Sequence, residues 1–416
     1  MSFREPAYWQ ELWRERRPLF AAALGCGFSI SLNMFIASVF VPAMTAEFGW
    51  TSSQISLVAS VGLLGILSFP LAGRLADMFG SRRVMLAGVV AIPLHYLLYS
   101  LQTGDIWQFF AIQASWSVFA ALWSATVLGR VAAGRLTLAR GFGIALLLSA
   151  PAVVGAVAAP LLSGLVEAEG WRHAYRVLAL VALGAGLLAA YLLPAQTGRQ
   201  AAAVDRRPTA EALRDIARSR AMQVLALAML LCNLGTVATG LQFAPMLIDR
   251  GITPANVGGY LSSYAMGVIA GRFIVGLSLD RFPTRIVAAA AMGLPALGFA
   301  MLAYMPGIPS AILVAVLLLG ISQGAEGDIG GYVGARYLGP QLFGTVFGFV
   351  TAVTSLAGFA GALISSSLLA GDSGFEPFLI FLALTTALGA LTFLLLPRES
   401  AKTGPLQDLR LDPRHR

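Results

Sequence analysis

Twelve apolar stretches, each about as long as a bilayer is thick, divide this chain and leave little choice of architecture. A helix needs about 20 consecutive apolar residues to cross the hydrocarbon layer. The stretches fall near residues 19–45, 54–77, 84–102, 107–133, 141–166, 173–194, 221–247, 255–279, 286–305, 310–334, 342–370 and 376–396. Inside lipid no water satisfies backbone N–H and C=O groups, so segments of this length cross as helices. The expected fold is an all-α membrane protein of twelve transmembrane spans, numbered 1 to 12 in chain order. Composition agrees: 57% of the 416 residues are hydrophobic and 12% are charged, against about 25% charged in a soluble domain.

The run from Leu19 to Met44 follows a basic segment but far exceeds the roughly 7–15 residues of a signal-peptide core, so it reads as span 1. Ahead of it, Tyr8, Trp9, Leu12 and Trp13 are expected to share one helical face along the membrane surface. The only long polar interruption, Ala195 to Arg220, separates two groups of six spans. The expected organisation is a cytoplasmic segment 1–18, a first bundle 19–194, a linker 195–220, a second bundle 221–396 and a tail 397–416. Cys26 and Cys232 both lie in apolar runs and read as packing residues, which excludes a disulfide framework or zinc site.

Basic residues orient the chain. With the first segment in the cytoplasm, only Arg172, Arg176 and Arg250 fall outside and Arg272 alone lies within a span; all the rest of the 28 Lys and Arg face inward. Both ends are then cytoplasmic. The net charge of +8 is accounted for as a topology signal and an attraction to anionic lipid, which removes the case for nucleic-acid binding.

The halves repeat. One ungapped register pairs Phe40 with Phe243, Pro42 with Pro245, Ser60 with Ser263, Gly73 with Gly276, Asp77 with Asp280, Phe79 with Phe282 and Arg82 with Arg285. Parallel six-span repeats predict two pseudo-symmetric bundles related by an axis along the membrane normal, with a ligand site between them near the midplane. In this register Arg272 falls opposite Phe69, so the cation belongs to the second half alone.

The segment Gly73-Arg74-Leu75-Ala76-Asp77-Met78-Phe79-Gly80-Ser81-Arg82-Arg83 resembles the loop 2–3 signature of the major facilitator superfamily. A weaker copy begins at Gly276 and carries Pro283 where the signature prefers glycine. Glu47-Phe48-Gly49-Trp50-Thr51, Arg140-Gly141, Gly170-Trp171-Arg172 and Gly271-Arg272 further resemble the monocarboxylate and organic-anion porters, including bacterial oxalate/formate-type relatives. The resemblance implies a monomeric carrier of the bacterial inner membrane working by alternating access. It also implies a substrate-binding role for Arg272 and an inside gate at the first copy, Gly73, Asp77, Arg82 and Arg83; Gly276 and Asp280 of the second copy read as its counterpart, and the alternative for these loops is plain solvated, positive-inside turns. Besides lacking the D-G-x-W-G-W-like signature of animal members before span 1, the chain departs from that group in two ways. Val268 stands where animal members carry an aspartate, and span 11 holds no lysine, which argues against a small dianion.

The residues themselves frame the chemistry. An arginine at the centre of a span costs roughly 2.5–3.5 kcal/mol and persists where it meets a cavity, partner or substrate. By rise per residue, Arg272 and Glu326 each lie roughly 6 Å to the cytoplasmic side of their span centres, so they sit at similar depth. Arg272 either binds an anion, its planar fork matching a carboxylate, or is permanently paired with Glu326. Glu326 and Asp328 are candidate proton carriers, and being two apart they point to different helix faces. Asn33, Gln242, Trp123, Asn233 and Trp116 are polar or amphipathic residues in spans that this architecture turns toward a cavity; each contacts substrate or holds neighbouring helices. His95 reads as structural. No nucleotide-binding loop, metal cluster or nucleophilic triad is present, so neither an enzyme nor a cofactor is expected. The reading is a carrier of a small organic anion, a monocarboxylate in the first instance, with a proton as coupling ion. Its rival is a proton-driven exporter of drugs or metabolites, hinted at by Ala150-Pro151 and Gly155 in span 5.

Overall fold

A computed structural model describes residues 6–136, 139–194, 218–279, 281–338, 343–371 and 374–397. The linker from 195 to 217, Asp280 and the tail after Pro397 lie outside the described residues. Eleven helices among those described are long and apolar enough to cross a membrane. Span 7, the remaining one, is divided into Arg220–Asn233 and Thr236–Asp249. The chain is an all-helical membrane protein of two six-span bundles.

The register read from a few residues extends to the starts of further spans. It carries Asn33, where the main helix of span 1 (Asn33–Phe48) begins, to Thr236. It likewise carries the start of span 3 (Ser81–Ser100) to that of span 9 (Thr284–Tyr304), and the start of span 5 (Arg140–Glu169) to that of span 11 (Phe343–Leu368). Even the interruptions repeat. Span 1 is broken by a 3-10 turn, Ile30–Leu32, and span 7 breaks at the matching place, Leu234-Gly235. At the first break the freed backbone is satisfied from span 4: Ile30 N–H donates to the carbonyl of Trp123 at 3.1 Å.

Other features separate the halves. Span 2 runs as Ser52–Val58, a 3-10 stretch Ala59–Leu64 and Gly65–Phe79; span 4 runs as Ile106–Phe119, Ala120–Leu122 and Ala125–Arg135. Their counterparts, span 8 (Pro254–Leu279) and span 10 (Pro309–Leu338), are unbroken. Between spans 2 and 3 a single residue, Gly80 at φ 84°, turns the chain, a conformation that costs glycine alone little. The second half has Pro283 at φ −56° there, which proline's ring favours, so the departure from the signature reflects a different turn.

Two of the segments that carried the resemblance meet in space. The Glu47 carboxylate at the end of span 1 accepts from the indole N–H of Trp171 at 2.8 Å and from Arg172 at 2.7 Å. Arg172 also donates to the Gln102 carbonyl at 3.1 Å, which ties spans 1, 3 and 6 together on one face.

The bundles touch along spans 5 and 8, 2 and 11, and 1 and 7. Hydrogen bonds between halves cluster toward the face opposite the arginine-rich one. Ser53 and Ser366 hydroxyls lie 2.9 Å apart, the Ser163 hydroxyl donates to the Pro254 carbonyl at 3.2 Å, and the Ser262 hydroxyl donates to that of Ala156. At Gly258 an added Cβ would strike Pro160 of span 5, so the backbones are already in contact.

Candidate functional site: a polar cavity in the second bundle

A cavity of about 70 Å³ opens inside the second bundle, chiefly between spans 7, 8, 9, 10 and 12, with Met34 of span 1 at its edge. Its polar lining consists of Asn233, Thr239, Ser322, Gln323, Glu326 and Thr386. Phe243, Tyr264, Phe299 and Leu382 supply apolar walls. Breaks make this possible. The interruption of span 7 brings Asn233 and Gly235 to the cavity, where unwound backbone is tolerated because it lines a space.

Glu326 is the acid of this cavity. Its Oε2 accepts from the Gln323 amide at 2.7 Å, and the Asn233 amide also hydrogen-bonds to it. Asn233 donates besides to the Met229 carbonyl at 3.0 Å, which fixes the amide within span 7. A carboxylate held by two amides and facing a space large enough for a few waters can take up and give back a proton without moving a helix.

Arg272 stands on the neighbouring helix. Spans 8 and 10 meet along a stripe of small residues, Gly267 and Gly271 against Gly320 and Gly324. A Cβ on Gly267 would lie 2.8 Å from the Leu317 carbonyl oxygen, and one on Gly271 would overlap that of Ile321. A Cβ on Gly324 would come within 3.0 Å of the Arg272 backbone nitrogen. Small residues of this kind let membrane helices approach to backbone contact, and here the contact sets Arg272 and Glu326 at the same level. Arg272 is half-buried, with its Nε shielded from solvent, and it is not among the residues lining the cavity.

Three residues expected to touch substrate take other places. Trp123 is fully buried; its indole donates to the Gly25 carbonyl at 2.7 Å and fills space left by Gly88 and Gly186. Gln242 is also fully buried, and its amide donates across the bundle boundary to the Ser52 carbonyl and, at 3.0 Å, to the Ser56 hydroxyl. It joins the seal between halves. Asn33 is half-buried at the start of its helix, outside the cavity lining. Trp116 is buried against His95 and Tyr96. His95 is held by the Ala91 carbonyl at 2.7 Å and the Ser115 hydroxyl at 2.8 Å, a structural role. Cys26 is a buried packing residue, whereas Cys232 lines the cavity.

The gate residues are only partly in view. Gly73 is buried, Arg82 half-buried and Arg83 exposed, while Gly276 faces open space. The side chains of Asp77 and Asp328, and all of Asp280, lie outside the described residues. Gln323, Tyr264 and Thr239 were missed by sequence reasoning. The available signal was weak: a polar atom in an apolar span, without the charge that drew attention to Glu326.

Two parallel bundles with a polar cavity at membrane depth define a membrane transporter, not an enzyme. The profile of the Major Facilitator Superfamily matches residues 23–362 and, in a second match, 225–414, and the chain belongs to that family. The fold is similar to that of the nucleoside transporter NupG, in a point-variant crystal structure, with a TM-score of 0.76 and 15% identity, over 91% of this chain and 99% of that one. The Agnestins efflux protein AgnL12 of Paecilomyces divaricatus is 25% identical over 86% of this chain and 80% of its own length. A multidrug resistance protein B homolog of Mycobacterium tuberculosis is 29% identical over 39% of this chain. That match spans 30% of the mycobacterial protein's length.

Proposed function

We propose that this transporter carries a small organic anion, in the first instance a monocarboxylate, together with a proton, by alternating access across a bacterial inner membrane. The observation that carries the reading is the glycine-lined contact between spans 8 and 10. It sets an intramembrane cation and an intramembrane acid at one depth on adjoining helices. Arg272 binds the carboxylate as the cleft between the bundles opens, and Glu326 takes the proton within the cavity. The hydrogen bonds sealing the opposite face break when the bundles rock, and the loops at Asp77 and Asp280 gate the arginine-rich face, which is cytoplasmic.

Uptake of a labelled carboxylate panel into proteoliposomes, with and without an inward proton gradient, tests both assignments. Arg272→Ala should reduce uptake of every carboxylate to that of protein-free vesicles, and Arg272→Lys should restore only part of it. Glu326→Gln should keep anion exchange and lose gradient-driven accumulation. Normal uptake by Arg272→Ala would sink the anion site.

A second reading, proton-driven export of an amphipathic compound, is favoured by the walls formed by Met34, Phe243, Tyr264 and Phe299 and by the efflux relatives. Gradient-driven extrusion of a lipophilic dye, lost in Glu326→Gln and untouched in Arg272→Ala, would select it.

A further inference from the structure

On the arginine-rich face, the helix Pro6–Arg14 precedes span 1, whose first segment is Arg16–Gly27. Backbone bonds Glu15 N–H to Glu11 and Leu19 N–H to Glu15, both 3.0 Å, carry helical spacing through the joint. The two sides of this segment differ. Glu11 and Glu15, one turn apart, face the first bundle. Glu11 accepts from the backbone N–H of Ala139 at 2.8 Å, just ahead of span 5, and Glu15 pairs with Arg135 at 2.9 Å, at the end of span 4. Tyr8 and Leu12 are partly covered and Leu19 is buried.

Trp9, Trp13 and Phe20 are 54%, 70% and 61% exposed. The Arg16 guanidinium stacks 4.3 Å above the Trp13 ring and donates to its carbonyl at 2.9 Å. Arg14 and Arg17 are exposed beside it. The expected single face of Tyr8, Trp9, Leu12 and Trp13 is thus divided, with the tryptophans outward and the other two inward.

Exposed tryptophans interleaved with arginines at the mouth of a span match the headgroup layer, where indole rings and basic side chains are both favoured. Arginine's bidentate donors suit phosphate oxygens in particular. We propose that Trp9, Trp13, Arg14, Arg16 and Arg17 form a docking surface for anionic phospholipid headgroups, with Glu11 and Glu15 fixing it to the junction of spans 4 and 5.

The test uses the full chain in phosphatidylcholine vesicles doped with doxyl-labelled phosphatidylglycerol or doxyl-labelled phosphatidylcholine, read by tryptophan quenching. The anionic probe should be enriched about fivefold at the segment, the factor a single basic residue contributes near an anionic surface. High salt should abolish the excess. Arg14→Gln/Arg16→Gln/Arg17→Gln should lose it with the tryptophans intact, and Trp9→Phe/Trp13→Phe should lose the excess and leave only the probe-independent quenching of the other five tryptophans, exposed Trp107 among them. Equal quenching of the unmutated protein by the two probes would overturn the proposal, as would an excess that survives either set of substitutions.

Discussion

The same register that aligns the two bundles places Trp123 of span 4 opposite Glu326 of span 10, and these equivalent positions do opposite things. In the first bundle the indole fills the interior and ties spans 1 and 4 together through Gly25. In the second, a carboxylate takes that position, hydrogen-bonded by Gln323 and Asn233, and a cavity remains. The two bundles are copies of one scaffold. At this matched position one copy holds a fully buried indole and the other a carboxylate beside a cavity.

Breaking the solid side should have the largest effect. Trp123→Ala removes a fully buried indole, a change that costs about 3–5 kcal/mol in well-packed cores, and thermal unfolding in detergent should shift downward accordingly. If the melting point stays within a degree, the first bundle is not held by this residue. Next in size is the contact that supports the hollow side. Gly324→Ala forces a methyl into the Val268 carbonyl, and overpacking of this kind costs about 1–3 kcal/mol. Gly276→Ala, with open space around it, is the matched control and should melt like the unmutated protein. Helix propensity favours alanine at both sites, so a drop of equal size in both would mean that close approach does not control the response.

The smallest effect on stability is expected at the boundary between the halves. Gln242→Leu deletes its hydrogen bonds to span 2 but also a buried Oε1 that has no hydrogen-bond partner among the described residues. With a net value near 1 kcal/mol for a hydrogen bond, melting should barely change. The conformational balance should change instead. A cysteine introduced at Ser53 should react faster with a membrane-impermeant thiol reagent when Gln242 is replaced. An unchanged rate would remove Gln242 from the seal.

How much of this was legible in the chain follows from what lipid demands of it. Span number, the repeat and the depth of Arg272 and Glu326 depend on length and on the cost of burying charge, and both are written in the order of residues. The rotation of each span about its own axis is not. The main helix of span 1, Asn33–Phe48, and the first helix of span 4, Ile106–Phe119, have almost no polar side, so nothing marks which side looks inward. That is why Gln242, Trp123 and Asn33 were expected at a cavity between the bundles, whereas the cavity within the second bundle is lined by other residues. Asn233 was named beside them on the same grounds and does line it, because the break after it turns it inward. The breaks themselves left only a faint trace, one glycine at Gly235 and none within Ile30–Leu32.

The bonds that close the opposite face are all made by hydroxyls, an amide and backbone carbonyls. Dissolved ions screen charges but leave such neutral contacts nearly untouched. The lock at that face therefore has the same strength in fresh water as in brine. A cell that moves between such media would find that face of the protein held to the same degree.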